Sequence, residues 1–372
     1  MVDLVSQYQH IKSQVDEGFT EVLNSAAFIN GPQVAKFSES LQEYLQVKHV
    51  IPCGNGTEAI QIALMALDLQ PGDEVITADF TFAATVEVIS LLKLTSVLVD
   101  VDYDTFTISP EAIRKAITPK TKAIIPVHLF GQCANMEEIM AIAKEYNLYV
   151  VEDNAQAIGS EYKFKDGSVK KSGTIGTIGT TSFFPSKNLG CYGDGGAIFT
   201  NDDNLAHRLK GIVNHGMYKR YYHDEVGVNS RLDSLQAVVL NTKLPLLNSY
   251  NDKRRQAADY YDKAFANHPN LQTPVRAEEY STHVFHQYTL KVVNADRNAV
   301  QQYLTEKEIP AMIYYPVPLR KQKAYDTGNY NDADFPATNK LIDQVISLPM
   351  HTELEEDQLK YITESVLSFF TK

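Results

Sequence analysis

The chain has 372 residues, of which 44% are apolar and 22% charged, with a formal net charge of −12. That is the composition of an ordinary globular protein long enough for about two domains. So acidic a chain argues against nucleic acid or an anionic membrane as the main partner, because gripping phosphates needs a basic face. No apolar run approaches the ~18–20 residues needed to cross a bilayer, and Met1 to Tyr8 contain an early acid and no signal-peptide core. Cys53, Cys133 and Cys191 are odd in number and form no C-x-x-C pair, which fits a reducing compartment, so a cytoplasmic location is expected.

Apolar positions at helical spacing predict two opening helices, over 4–24 and 32–46. Short β-rich runs then alternate with helical ones: His49–Cys53, a helix over Thr57–Leu69, Glu74–Ala78, Phe82–Leu92, Ser96–Val99, Pro110–Ile117, Ala123–Val127, Met136–Tyr146 and Leu148–Glu152. This rhythm predicts an α/β fold with a mainly parallel central sheet flanked by helices. Strands at Thr180–Phe184 and Ala197–Thr200 follow, with a helix start at Asn201-Asp202-Asp203 and a long helix over 232–265 that Pro245 is expected to kink. The last part predicts strands near Gln287–Val293 and Ala311–Tyr314 and helices near 296–307, 336–343 and 354–370. The expected division is a large domain over 1–249 and a smaller C-terminal α+β domain over 250–372.

Three stretches carry chemistry. Cys53-Gly54-Asn55-Gly56-Thr57-Glu58-Ala59 joins a predicted strand to a helix, and free N–H groups at such a helix start make an anion site. It also matches the G-x-G-x-x-A dinucleotide fingerprint, so a nicotinamide-dependent dehydrogenase is a competing reading, with Asp79 the acid nearest a ribose-binding position. Glu152 and Asp153 end a buried strand, where ligands of open α/β sheets bind, and strand alternation turns the two carboxylates to opposite faces. Thr181 to Gly196 sets Lys187 among Phe183, Phe184 and Leu189 with no acid before Asp194; a poorly solvated ammonium loses its proton more readily and becomes a nucleophile. A strand-end carboxylate, a phosphate-binding helix start with a nearby serine, and a desolvated lysine together suit pyridoxal 5′-phosphate. His283 and His286, three apart in a strand-like stretch, are poor co-ligands, and no metal is expected.

Over essentially its whole length the chain resembles the DegT/DnrJ/StrS family of nucleotide-sugar aminotransferases, which are fold type I pyridoxal-phosphate enzymes. The resemblance rests on Asn55-Gly56-Thr57-Glu58-Ala59, Thr81-Phe82-Ala83-Ala84-Thr85, Glu152-Asp153-Asn154-Ala155-Gln156, Ser182-Phe183-Phe184-Pro185-Ser186-Lys187, Gly193-Asp194-Gly195-Gly196 and Gly227 to Asp233, in that order. It implies that Lys187 forms the imine with the cofactor, that Asp153 pairs with the pyridine nitrogen, and that Gln156 lies near the phenolic oxygen. By the same resemblance Gly56, Thr57 and Ser182 bind the phosphate, Asn229 reaches it from the second subunit of a homodimer, and Phe82 stacks on the ring. The implied amino donor is glutamate.

The run from His215 to His223 and on to Arg231 is similar to members that aminate C3 of a UDP-linked 2-acetamido-3-keto-hexuronic acid, for surface polysaccharide biosynthesis. A uronate carboxylate suits a bidentate cation, for which Arg231 is the candidate. His215, Tyr314, Tyr315 and Arg320 are the other expected sugar contacts, and Lys219-Arg220 among tyrosines suits a small anion. Many members have His where Tyr314 or Arg320 stands, which leaves dTDP-linked 3-keto-6-deoxyhexose and 4-keto-hexose substrates open. A cofactor-binding regulatory protein on the same scaffold is the non-enzymatic alternative.

Overall fold

In the computed structural model, which describes residues 1–371, the chain opens with α1 (Leu4–Ser25) and α2 (Pro32–Leu45). Their apolar stripes bury Ile11, Val15 and Val22, and Val34, Phe37, Leu41 and Leu45. Alternation follows as expected: β1 (His49–Cys53), α3 (Gly56–Ala66), β2 (Glu74–Ala78), α4 (Ala84–Leu91), β3 (Thr95–Val99), α5 (Pro110–Ala116), β4 (Thr121–Ile125), α6 (Met136–Tyr146) and β5 (Tyr149–Asp153). A short hairpin, β6 (Glu161–Lys163) and β7 (Val169–Lys171), precedes β8 (Ile178–Ser182), β9 (Gly196–Thr200) and α7 (Asp203–Ile212). The seven-stranded sheet has the order β1-β9-β8-β5-β4-β2-β3, and only β9 runs against its neighbours.

Both faces of the sheet are buried, so neighbouring residues of one strand enter different cores. Ile51, Val75, Ile125, Val151 and Ile198 pack with α3, α4 and α7. Val50 and Phe199 pack with α1, α2 and α8 (Ser234–Lys243), while Ile76, Ile124 and Val150 meet α5 and α6. The antiparallel course of β9 matters for the site. It sets Gly196 opposite Cys53 on one side and opposite Ser182 on the other, which brings the ends of β1 and β8 together.

The chain continues through the hairpin β10 (Met217–Lys219) and β11 (Tyr222–His223) to α8. The long helix expected over 232–265 is two helices, since Pro245 sits in a 3-10 turn, Leu244–Leu246, between α8 and α9 (Leu247–Phe265). The boundary expected at 249/250 lies inside the first turn of α9. Beyond it, β12 (Leu271–Gln272), β13 (Tyr288–Val292), α10 (Arg297–Glu306), β14 (Val345–Leu348) and α12 (Glu356–Phe370) build a second core around a three-stranded antiparallel sheet, while α11 (Pro336–Gln344) sends Leu341 into the core of the large sheet beside α5 and α6. No strand forms at Ala311–Tyr314; Met312 makes a single bridge to Ser347 instead. The stretch holding His283 and His286 is irregular rather than strand-like, with Phe285 at φ 45°.

A polar clamp also ties α11 to the large sheet. Asp100, just after β3, caps α11 from a distance: its carboxylate accepts from the N–H of Ala337 (2.8 Å) and of Thr338 (2.9 Å) and from the Thr338 hydroxyl (2.7 Å). These N–H groups belong to a helix start that carries no side-chain cap of its own. Asp100→Ala is therefore expected to cost about 1–2 kcal/mol in denaturant unfolding, the usual worth of a lost cap. An unchanged midpoint would show that the clamp contributes nothing.

Candidate active site

At the β1–α3 corner Asn55 caps the helix, its side chain accepting from the Glu58 N–H at 2.8 Å, and the Ala59 N–H bonds to the Asn55 carbonyl at 3.0 Å. The N–H groups of Gly56 and Thr57 have no acceptor among the described residues and stand at the positive end of the helix, where an anion is favoured. Ser182 lies against them so closely that a Cβ on Gly56 would stand 2.6 Å from the serine Cβ. A Cβ on Gly196 would stand 2.5 Å from the Asn55 carbonyl carbon. Both glycines are required by close approach. The Ser182 oxygen accepts from the Phe184 N–H at 3.2 Å, which leaves its own proton to donate. Two free amides, a serine hydroxyl and the Thr57 hydroxyl beside them are donors of the kind a phosphate monoester takes.

Asp153 ends β5 on the same edge of the sheet and is 6% exposed. Its carboxylate accepts from the Thr85 hydroxyl (2.9 Å) and the Ala155 N–H (3.2 Å). Glu152 points the other way, as alternation requires, into a fully buried pocket where the His128 Nε2–H (2.8 Å) and the N–H groups of Gly173, Ile175 and Gly176 (2.9, 2.6 and 2.5 Å) all donate to it. His128 Nδ1 accepts from the Ala134 N–H at 3.1 Å, so its proton sits on Nε2. This network pins the strand end that presents Asp153.

Lys187 keeps part of its side-chain surface accessible, yet protein crowds its amine. Burial lowers its pKa to about 8, against the pull of the nearby Asp153 charge, which raises it. The loop carrying it is fastened from several sides. Asn188 donates to Asn251 (2.7 Å) and to the Val284 carbonyl (2.9 Å), and Lys243 Nζ donates to the Gly190 carbonyl (2.9 Å) from 4.5 Å over the Tyr192 ring centroid. Burial draws Lys243 down to about 8 as well. His286 is buried, and burial first, then Lys187 and Arg254, hold its pKa well below the usual range, so its imidazole is neutral.

Aromatic rings stand around these groups. Phe82 is 57% exposed, with its centroid 6.2 Å from Tyr315. Gln156 accepts from the Phe130 N–H (2.7 Å) and donates to the Tyr315 hydroxyl (3.3 Å). Asn229 to Asp233 is an extended segment: Ser230 and Leu232 face inward, the Ser230 hydroxyl accepting from the Gly54 N–H (2.9 Å), while Asn229 and Arg231 share the outer side. Arg231 makes no ion pair among the described residues. His215 is exposed in the turn that precedes β10, its carbonyl bonded to His223 Nδ1 at 2.9 Å.

The structure thus brings Gly56, Thr57, Ser182, Asp153 and Lys187 to one sheet edge. Arg320 is elsewhere: its guanidinium is buried against Asp79, Asp332 and Asn339, so it is not free to hold a sugar. The same pair removes the acid that a dinucleotide reading needed, since the Asp79 side chain is fully buried on Arg320. Sequence reasoning missed Thr85, though it lies inside a quoted motif, three residues after Phe82 in the first turn of α4; it also missed His128, Lys243 and the His286 packing.

These residues fit a phosphorylated pyridine aldehyde: amides and hydroxyls for the phosphate, a carboxylate for a ring cation, an amine of lowered pKa for a carbonyl. A family model, the DegT/DnrJ/EryC1/StrS aminotransferase family, matches residues 9–367. The chain is 44% identical over 371 residues to a "Pleiotropic regulatory protein" of Geobacillus stearothermophilus, covering 100% of this chain and 98% of the relative. It is 44% identical over 361 residues to the UDP-2-acetamido-2-deoxy-3-oxo-D-glucuronate aminotransferase of Pseudomonas aeruginosa, covering 97% of each. The crystal structure of ntda from Bacillus subtilis with bound cofactor PMP superposes with a TM-score of 0.89 at 32% identity, covering 98% of this chain and 82% of that one. The protein belongs to the DegT/DnrJ/EryC1/StrS family of aminotransferases and uses pyridoxal phosphate as its cofactor.

Proposed function

We propose that the protein moves an amino group from glutamate to C3 of a UDP-linked 2-acetamido-2-deoxy-3-keto-hexuronic acid, in surface polysaccharide biosynthesis. The observation that supports this most is the crowded Lys187 amine, at about 8 and within reach of the Asp153 charge, beside a helix start with two free N–H groups. The Pseudomonas relative carries the corresponding substrate in its name. Gly56, Thr57 and Ser182 bind the phosphate, Phe82 covers the ring and Gln156 stands by its phenolic oxygen. Asn229 works across a homodimer interface, which its exposure on the outer side of an extended segment supports. Arg231, on that same side and free of any carboxylate among the described residues, takes the uronate, with His215, Tyr314 and Tyr315 as further sugar contacts. Cys53, Cys133 and Cys191, buried as free thiols, suit the reducing cytoplasm.

When bound, the cofactor supplies an electron sink for the carbanion at the reacting carbon. Asp153 holds the proton on the ring nitrogen that makes the sink effective. Lys187 Nζ, as the neutral amine, takes the proton from Cα of the amino donor and, in the second half of the cycle, returns one to C3 of the sugar. Arg231 and the sugar contacts orient C3 toward that amine.

Lys187→Ala is expected to lower transamination of the UDP-linked keto-uronate by about a thousandfold or more, because it removes the proton carrier. Near-normal turnover would refute the assignment. Side-by-side assays with dTDP-linked keto-sugars decide the carrier and the carbon, and no turnover of any keto-uronate would sink the sugar proposed here. A purely regulatory role, the kind of name the Geobacillus relative bears, predicts cofactor binding without a half-reaction on glutamate.

The pH dependence has a definite sign. The neutral amine is the form that attacks a carbonyl, and its fraction grows as pH rises through about 8. Uptake of pyridoxal phosphate by the apoprotein should therefore speed up about tenfold per pH unit below that point and level off above it. Asp153→Asn should move the inflection to lower pH, because it removes the charge that raises the amine's pKa. A rate that does not change across the inflection would contradict this.

A further inference from the structure

Arg320 is placed by the fold where it cannot touch a sugar, yet it stands at the end of the loop that borders the site. That loop, 313–318, carries Tyr314 and Tyr315 and is tied at both ends. At its start Met312 exchanges two hydrogen bonds with Ser347 of β14, at 3.0 and 2.7 Å. At its end the Leu319 N–H donates to the Asp79 carbonyl (3.0 Å), the Arg320 N–H to Asp79 Oδ1 (2.8 Å), and the Arg320 guanidinium to Asp79 Oδ2. Asp79 directly follows β2 and leads into Phe80-Thr81-Phe82.

The outer arm of the guanidinium bonds to Asp332 (Nε at 3.2 Å, Nη2 at 2.9 Å) and to Asn339, and the group lies 4.3 Å from the Phe335 ring centroid. The side chains of Arg320 and Asp79 are 1% and 0% exposed. A buried ion pair is weak evidence for stability, since desolvation cancels much of the attraction; what it can supply is register. Here the register is that of two aromatic segments. Tyr315 lies 6.1 Å from Phe80 and 6.2 Å from Phe82 by ring centroid, and its hydroxyl meets Gln156.

We propose that Arg320 and Asp79 are positioning residues: their pairing fixes the height of loop 313–318 over the end of β2, and so sets Tyr315 against Phe82 and Gln156. The inference rests on the proposed function, because the groups so placed are those assigned to the cofactor ring and the sugar. It replaces the sugar-contact role that the sequence suggested for Arg320.

The test compares Arg320→Met, Arg320→Lys and Asp79→Asn with Lys321→Met, an exposed neighbour whose ion pair among the described residues is with Asp332. On full-length protein three quantities are measured: hydrogen–deuterium exchange of peptides covering 313–319 without cofactor, the Kd of pyridoxal phosphate by equilibrium dialysis, and KM and kcat for the keto-sugar. Arg320→Met should speed exchange in 313–319 and raise Kd and KM by about tenfold, with kcat changed little, the pattern left by loss of binding that ground state and transition state share. Arg320→Lys should restore part of the loss, and Lys321→Met should match wild type. Should Arg320→Met fail to fold, Asp332→Asn loosens the outer arm together with the Lys321 pair, whose own effect Lys321→Met measures, and should move the same quantities in the same direction by less. Unchanged exchange in 313–319, or unchanged Kd and KM with only a lower melting temperature, overturns the proposal. Wild-type protein that binds no pyridoxal phosphate would instead sink the functional reading, while the exchange result still decides the positioning role.

Discussion

The structure is arranged around one amine held where a charge is poorly solvated. Lys187 sits on a loop between two strands of the central sheet, crowded by protein and near a single carboxylate, and the two influences oppose each other: burial lowers its pKa, and Asp153 raises it. The balance falls near neutrality, where an amine can both bond to a carbonyl and carry a proton. Holding an amine in such a place needs a rigid frame. Asn188, Gly190 and Lys243 supply it through bonds to α9, to α8 and to the chain before β13.

The sheet explains why the other groups stand beside that amine. Only β9 runs against its neighbours, and this reversal puts Gly196 between the ends of β1 and β8. With no side chain there, the Asn55 turn, the first N–H groups of α3 and the Ser182 hydroxyl share one corner. Asp153, at the end of the adjacent β5, is pinned by Thr85 on one side, while Glu152 and its four donors anchor the strand from the other. The helix-start amides, the Ser182 hydroxyl and the Asp153 carboxylate are thus placed by strand ends, the more rigid parts of the chain, while the loop between β8 and β9 carries the Lys187 amine.

Much of this was legible beforehand, for identifiable reasons. The strands β1 and β2 and the helix α6 have the predicted bounds, because each is a local pattern with turn residues at its ends. The opposed directions of Glu152 and Asp153 follow from alternation alone. What was not legible depends on partners distant in sequence. β14 is a strand because β13 lies beside it. Ala311–Tyr314, with strand-like composition, finds only one bridging partner at Ser347. The fate of Arg320 was hidden for the same reason: Asp79 precedes it by 241 positions, and nothing near Arg320 in the sequence announces a buried carboxylate.

The most direct measurement is chemical trapping: purified protein loaded with pyridoxal phosphate, reduced with borohydride, digested and mapped by mass spectrometry. The account predicts a phosphopyridoxyl mass addition on the peptide containing Lys187 and on no other. A label spread over surface lysines, or found on Lys243 with Lys187 unmodified, would contradict it.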